Sequence, residues 1–152
     1  MATLRGFFIR EDYMYTKEIN GKLCEFNFGL GFVRDIDKSV LIEGDDKRKH
    51  KMGLTYAIAG LMDCDYEKLI DCLVIGSKYA PGDTLSRDEI EKWMDTEEFD
   101  LEEECKELLD FFEKCSFTRR KTEDLKQAVS RDKEIKDAQY QGQLAAAKAG
   151  MN

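Results

Sequence analysis

The chain has 152 residues, 42% hydrophobic and 37% charged, with a formal net charge of −8 and a pI near 4.8. That length closes one hydrophobic core without metal or disulfide staples, and the composition is too apolar for wholesale disorder. The negative balance argues against a duplex nucleic-acid surface, which relies on many lysines and arginines, and no apolar run reaches the roughly 18 residues that a membrane helix needs.

The amino-terminal MATLRGFFIRED has an apolar stretch too short for a signal peptide and lacks a small-residue cleavage site, so a soluble, intracellular protein is expected. Phe7, Phe8 and Ile9 read equally well as a third strand or as an arm, which sets residues 1–12 apart. From Tyr13 to Phe28 the pattern is a β-hairpin. Asn20-Gly21 supplies the two positive-φ positions of a type I′ turn, and Cys24, Phe26 and Phe28 alternate with polar neighbours toward a core. A hairpin alone is marginal in water, so helices must cover that face.

After Phe28 the period changes from two to three and four, with Leu30, Phe32, Val33 and Ile36 on one helical face. The polar stretch from Asp37 to Lys51, including the basic cluster KRKHK, reads as a solvated loop; without interleaved aromatics it is a poor nucleic-acid motif. Leu54, Ile58, Leu61 and Met62 then predict a helix ending near Asp63, and Asp65 caps a second one carrying Tyr66, Leu69, Ile70, Leu73 and Val74. Ala80-Pro81-Gly82-Asp83 breaks it. Ser86 with Glu89 has capping-box spacing and starts a short helix with Ile90, Trp93 and Met94. Asp100 with Glu103 opens another, from Leu101 to Cys115, whose stripe is Leu101, Cys105, Leu108, Leu109 and Phe112, with Phe111 off that stripe.

Charge is divided unevenly along the second half. Asp83 to Glu113 holds fourteen acidic residues against Arg87, Lys92 and Lys106, a net of −11, whereas Lys114 to Lys148 carries nine basic and five acidic residues, a net of +4. Leu125, Val129, Ile135 and Leu144 make no sustained stripe there, so residues 117–152 read as a polar helical or disordered tail beyond a compact unit at 13–116. The expected fold class is α+β, mainly α: an N-terminal hairpin packed on a bundle of about five helices.

Catalytic motifs are missing. There is no P-loop, GxGxxG, HExxH or GxSxG, and FGLGF holds only half of a dinucleotide fingerprint in the wrong context. The five cysteines have no CxxC spacing and only His50 accompanies them, a poor inventory for zinc, disulfides or a thiol nucleophile. Glu102, Glu103 and Glu104 read as a solvated helical face, and Asp63-Cys64-Asp65 does not extend to a calcium loop. No catalytic, metal or cofactor residue is assigned, which favours a binding protein over an enzyme.

The ordered segments INGKLCEFNFGLGFVRDIDK, GLTYAIAGLMDCDYEKLIDCLVIGSK, LSRDEIEKWMD and LEEECKELLDFFEK together resemble the tail assembly chaperones of long-tailed, siphovirus-like phages and prophages, over roughly Tyr13 to Cys115. That resemblance implies a non-enzymatic factor of the host bacterial cytoplasm, absent from the mature virion. It implies binding of the tape measure protein, kept soluble while tail-tube subunits assemble around it. It also implies a longer form made by ribosomal frameshifting, through which the tail-tube protein is reached. A homo-oligomer is a further possible partner, and neither nucleic acid nor membrane is expected. Trp93, Phe111 and Phe117 are the exposed-aromatic candidates for client contact. The rival reading is an acidic adaptor or inhibitor that binds one folded partner.

Overall fold

The computed structural model describes residues 12–150. Strands β1 (Met14–Ile19) and β2 (Lys22–Asn27) pair antiparallel, Ile19 opposite Lys22 and Met14 opposite Asn27. Their link has φ of 54° at Asn20 and 76° at Gly21, the signature of a type I′ turn. Cys24, Phe26 and Phe28 all turn inward, at 7%, 0% and 0% exposure. The third-strand or arm reading of the first residues falls outside the described residues up to position 11.

Helix α1 (Leu30–Lys38) follows β2 after Phe28 and Gly29. The next segment corrects the expected loop. Leu41–Glu43 and Lys49–Lys51 form a second small antiparallel hairpin, β3 and β4, every residue of which is exposed. His50 sits on β4 and bonds Asp46 Oδ1 at 3.1 Å. The stretch is solvated, as its polarity requires, yet its backbone pairs with itself.

Helices α2 (Gly53–Met62) and α3 (Tyr66–Lys78) form an antiparallel pair whose turn is closed by Asp65, accepting from the Glu67 amide at 2.9 Å. Helix α4 (Arg87–Met94) begins with the full Ser86–Glu89 capping box, and α5 (Leu101–Lys114) begins with Asp100 accepting from the Glu103 amide at 3.2 Å. Each cap satisfies a backbone amide that a helix start leaves unpaired. Cys105, Leu108, Leu109 and Phe112 are the buried face of α5.

Helix α6 (Arg119–Gly150) is anchored only at its start. The Thr118 hydroxyl donates to the Phe112 carbonyl at 2.7 Å, the Thr122 hydroxyl to the Thr118 carbonyl at 2.8 Å, and Lys126 pairs with Glu113 at 2.7 Å. Beyond Lys126 every described residue is exposed, including Val129, Ile135 and Tyr140. At 1.5 Å rise per residue the whole helix is about 48 Å long.

The core gathers around rings from the hairpin, α1 and α5. Phe28 lies 4.8 Å from Phe32, 5.0 Å from Phe112 and 5.9 Å from Tyr15 between ring centroids. Cys24, Cys72, Cys105 and Cys115 are buried free thiols, and Cys64 is half-buried. Burial pushes the Cys105 thiol up to about 12, so it remains protonated at neutral pH.

Where α2 starts, backbone meets backbone. A Cβ on Gly53 would stand 1.6 Å from the Ile36 carbonyl oxygen of α1, whereas one on Gly142 in exposed α6 would meet nothing within 4 Å. The same substitution therefore has opposite signs at the two sites. Gly53→Ala should cost about 1–3 kcal/mol or more in urea unfolding. Gly142→Ala should leave the midpoint unchanged or raised and increase helical circular dichroism, by up to about 1 kcal/mol of local helix stability.

Candidate partner-binding surfaces

The three aromatic candidates occupy different environments. Trp93 corrects the expectation of exposure: it is 6% exposed, and its ring packs edge-on against Phe99 at 4.8 Å. It falls on the buried face of α4 with Ile90, three residues earlier, as helical spacing requires. Phe111 is half-buried, with its ring 5.0 Å from Tyr15 and 5.9 Å from Phe28, so its position off the main α5 stripe turns it to the hairpin instead of to solvent. Phe117 is 46% exposed, in the turn between α5 and α6.

A charged cluster joins β1 to α5 across ninety residues of sequence. Lys17 Nζ lies 2.9 Å from Glu104 and 3.0 Å from Glu107, and the Tyr15 hydroxyl donates to Glu107 at 2.9 Å. Side-chain exposure is 21% for Lys17 and 13% for Glu104, so both charges are largely removed from water. Burial raises the Tyr15 phenol, and the neighbouring Glu107 carboxylate raises it further, which keeps it a donor. Burial works against the Lys17 ammonium, but its bonds to Glu104 and Glu107 outweigh that and hold its pKa above the usual value. For Glu104 burial dominates and raises the carboxyl despite Lys17. A lysine on the inward face of a strand is the one local sign of this cluster; its partners leave none.

A second polar clasp ties α1 to the end of α3. The Tyr79 hydroxyl donates to Asp35 at 2.6 Å and Lys78 approaches the same oxygen at 3.1 Å, so the Asp35 carboxyl is held below its ordinary range, first by Tyr79 and then by Lys78.

Two grooves flank the hairpin. One, of about 570 Å³, runs along Thr16, Lys17 and Glu18, past the turn, and is walled by Trp93, Thr96, Glu98 and Glu104. The other, of about 130 Å³, lies between β2 and the segment Pro81 to Leu85. Neither is an apolar slot for a small molecule. Among the described residues no group of three or more His, Cys, Asp or Glu side chains is placed to hold a metal ion, and no helix is long and apolar enough to cross a membrane.

The molecule is a mainly helical α+β domain with four buried thiols, an acidic segment from Asp83 to Glu113 and polar surface grooves. The chain belongs to the phage tail assembly chaperone protein family (TAC), whose model matches residues 16–127. No curated protein and no solved structure matches the chain. Membership implies a role in binding phage tail proteins.

Removing Lys17 tests the buried cluster. Lys17→Met leaves Glu104 desolvated without its cation and should cost about 1–3 kcal/mol at pH 7. The Glu104 carboxyl, already raised, rises further in the variant. A carboxyl whose folded pKa exceeds its unfolded one destabilises the fold above the folded pKa and stops doing so as pH falls through it. Urea unfolding should therefore show a smaller loss at pH 5 than at pH 7, and Lys17→Met with Glu104→Gln should recover much of the loss at both.

Proposed function

We propose that this chain binds the tape measure protein and keeps it soluble in the host bacterial cytoplasm during tail-tube assembly, and that it is absent from the finished virion. The observation that carries this reading is the family match over residues 16–127, which begins within β1 and takes in β2 and every helix up to the first turns of α6. A tape measure protein is a long, mostly helical chain with many similar segments, so its chaperone must hold each of them weakly and reversibly, with avidity from several copies on one client. An acidic surface suits that task because like charge keeps loaded copies apart. The exposed part of α6, most of it beyond the family match, is where a frameshifted longer form that reaches the tail-tube protein would continue. Phe117, exposed at the α5–α6 turn, is the aromatic best placed for client contact.

The acidic segment from Asp83 to Glu113, with its net of −11, supports a second reading in which one folded basic partner is bound stoichiometrically. Co-expression with the tape measure product encoded beside it separates the two. The chaperone reading expects a several-fold rise in soluble tape measure protein and a complex that persists at moderate salt. An unchanged soluble fraction defeats it. A tight one-to-one complex with a different, folded protein that dissociates steeply with salt supports the adaptor instead.

A further inference from the structure

Among the described residues, nothing pairs with the backbone hydrogen-bonding groups on the outer edge of β1. Phe28 N donates to Tyr13 O at 2.8 Å, and Ile19 and Lys22 flank the two-residue turn, so Tyr13, Tyr15, Lys17 and Ile19 are the residues that exchange bonds with β2. Alternation then turns the N–H and C=O groups of Met14, Thr16 and Glu18 away from β2. Among the described residues no backbone bond reaches these groups, and the hairpin sheet has two strands only. The 570 Å³ groove lies along this stretch, with exposed Leu23 at one side and Trp93 on its wall.

We propose that the β1 edge is a docking site for an extended, basic segment of the client, which adds to the hairpin as a third strand in the groove walled by α4 and α5. This rests on the chaperone reading and deepens it. Strand addition takes its affinity from main-chain hydrogen bonds, which every sequence offers, so it suits a protein that must hold many segments of one long client. Charge complementarity selects the occupant. Glu18 on the edge and Glu98 across the groove are exposed, while Lys17, the one cation among the described lining residues, is already paired with Glu104 and Glu107. A second copy pairing through the same edge would bring its own Glu18 and Glu98 into the groove; an alternation of lysine or arginine with apolar residues brings compensation and a side chain for Leu23.

The probe is a synthetic peptide of alternating lysine and valine, titrated into the isotopically labelled full chain while amide hydrogen exchange is followed by NMR. Exchange at Met14, Thr16 and Glu18 should be fast in the free chain and slow about tenfold or more with peptide, while the ladder amides of Tyr15 and Lys17 change less. A peptide N-methylated at alternate residues should not bind, and Glu18→Lys with Glu98→Lys should weaken binding about tenfold. Slow exchange at the three amides in the free monomer means that another segment of this chain covers the edge, and overturns the proposal. So does slowing that follows protein concentration, which assigns the edge to a second copy, and so does equal binding of the N-methylated peptide. Thr16→Pro removes only an outward N–H, a change that edge strands tolerate, and its folding is checked by the same spectrum. If Thr16→Pro, folded, solubilises the tape measure protein as well as the unaltered chain does, the edge proposal falls and the chaperone reading stands. If the unaltered chain fails to solubilise that protein while the peptide still protects Thr16 and Glu18, the chaperone reading falls and the edge site stands.

Discussion

The packing of Phe28 is the constraint on which the rest of the structure depends. Its backbone closes the hairpin through Tyr13, its carbonyl accepts from the Cys115 thiol at 3.4 Å at the far end of α5, and its ring meets Tyr15, Phe26, Phe32, Phe111 and Phe112. One side chain thus touches the hairpin, α1 and α5. Helix α3 completes the enclosure, because a Cβ at Gly76 would lie 2.6 Å from the Phe28 ring. Only a residue without a side chain lets the helix lie flat on that face. Aromatic pairs with offset or edge-on geometry add about 0.5–1.5 kcal/mol each beyond their buried area. Those gains are shared among the same few rings, so they act as one unit and not as independent increments.

That hub explains which parts of the fold were legible in the chain. The hairpin was legible because Asn20-Gly21 and the alternation around it are local, and the starts of α3, α4 and α5 were legible because a cap is a contact between residues two or three apart. The buried face of α5 followed from its period. The β3–β4 hairpin was not legible. Its strands have three residues each, no residue in them is buried, and its turn uses Lys47 at φ 61° where an asparagine or glycine would have announced it.

The partner-binding candidates show the same division. Trp93 shares the buried face of a short helix with Ile90, and eight residues are too few for periodicity to reveal which face meets the core. Phe111 was correctly placed off the α5 stripe, but the off-stripe direction is occupied by Tyr15, a residue 96 positions away that no helical wheel contains. The partners in the Lys17–Glu104–Glu107 cluster were hidden for that reason too, with inward-facing Lys17 its one local sign. Composition announced many carboxylates; only the tertiary fold selects the two that face a lysine.

Charge segregation gives the molecule its long-range character. The acidic α5 and the basic start of α6 meet at the turn Cys115 to Thr118, and Lys126 pairs with Glu113 between the two helices. Opposite charge this close would draw a flexible tail onto the acidic face. A continuous helix about 48 Å long opposes that, because its described residues beyond Lys126 are all exposed and the helical backbone holds them along one axis. Arg119, Arg120, Lys121 and Lys126 lie in the first turns of α6, and beyond Lys126 four basic residues stand against three acidic ones, so the distal helix is close to neutral. The negative balance of α4 and α5 is therefore met at the α5–α6 junction by the first turns of α6 and by Lys126, and the distal helix adds little charge of either sign.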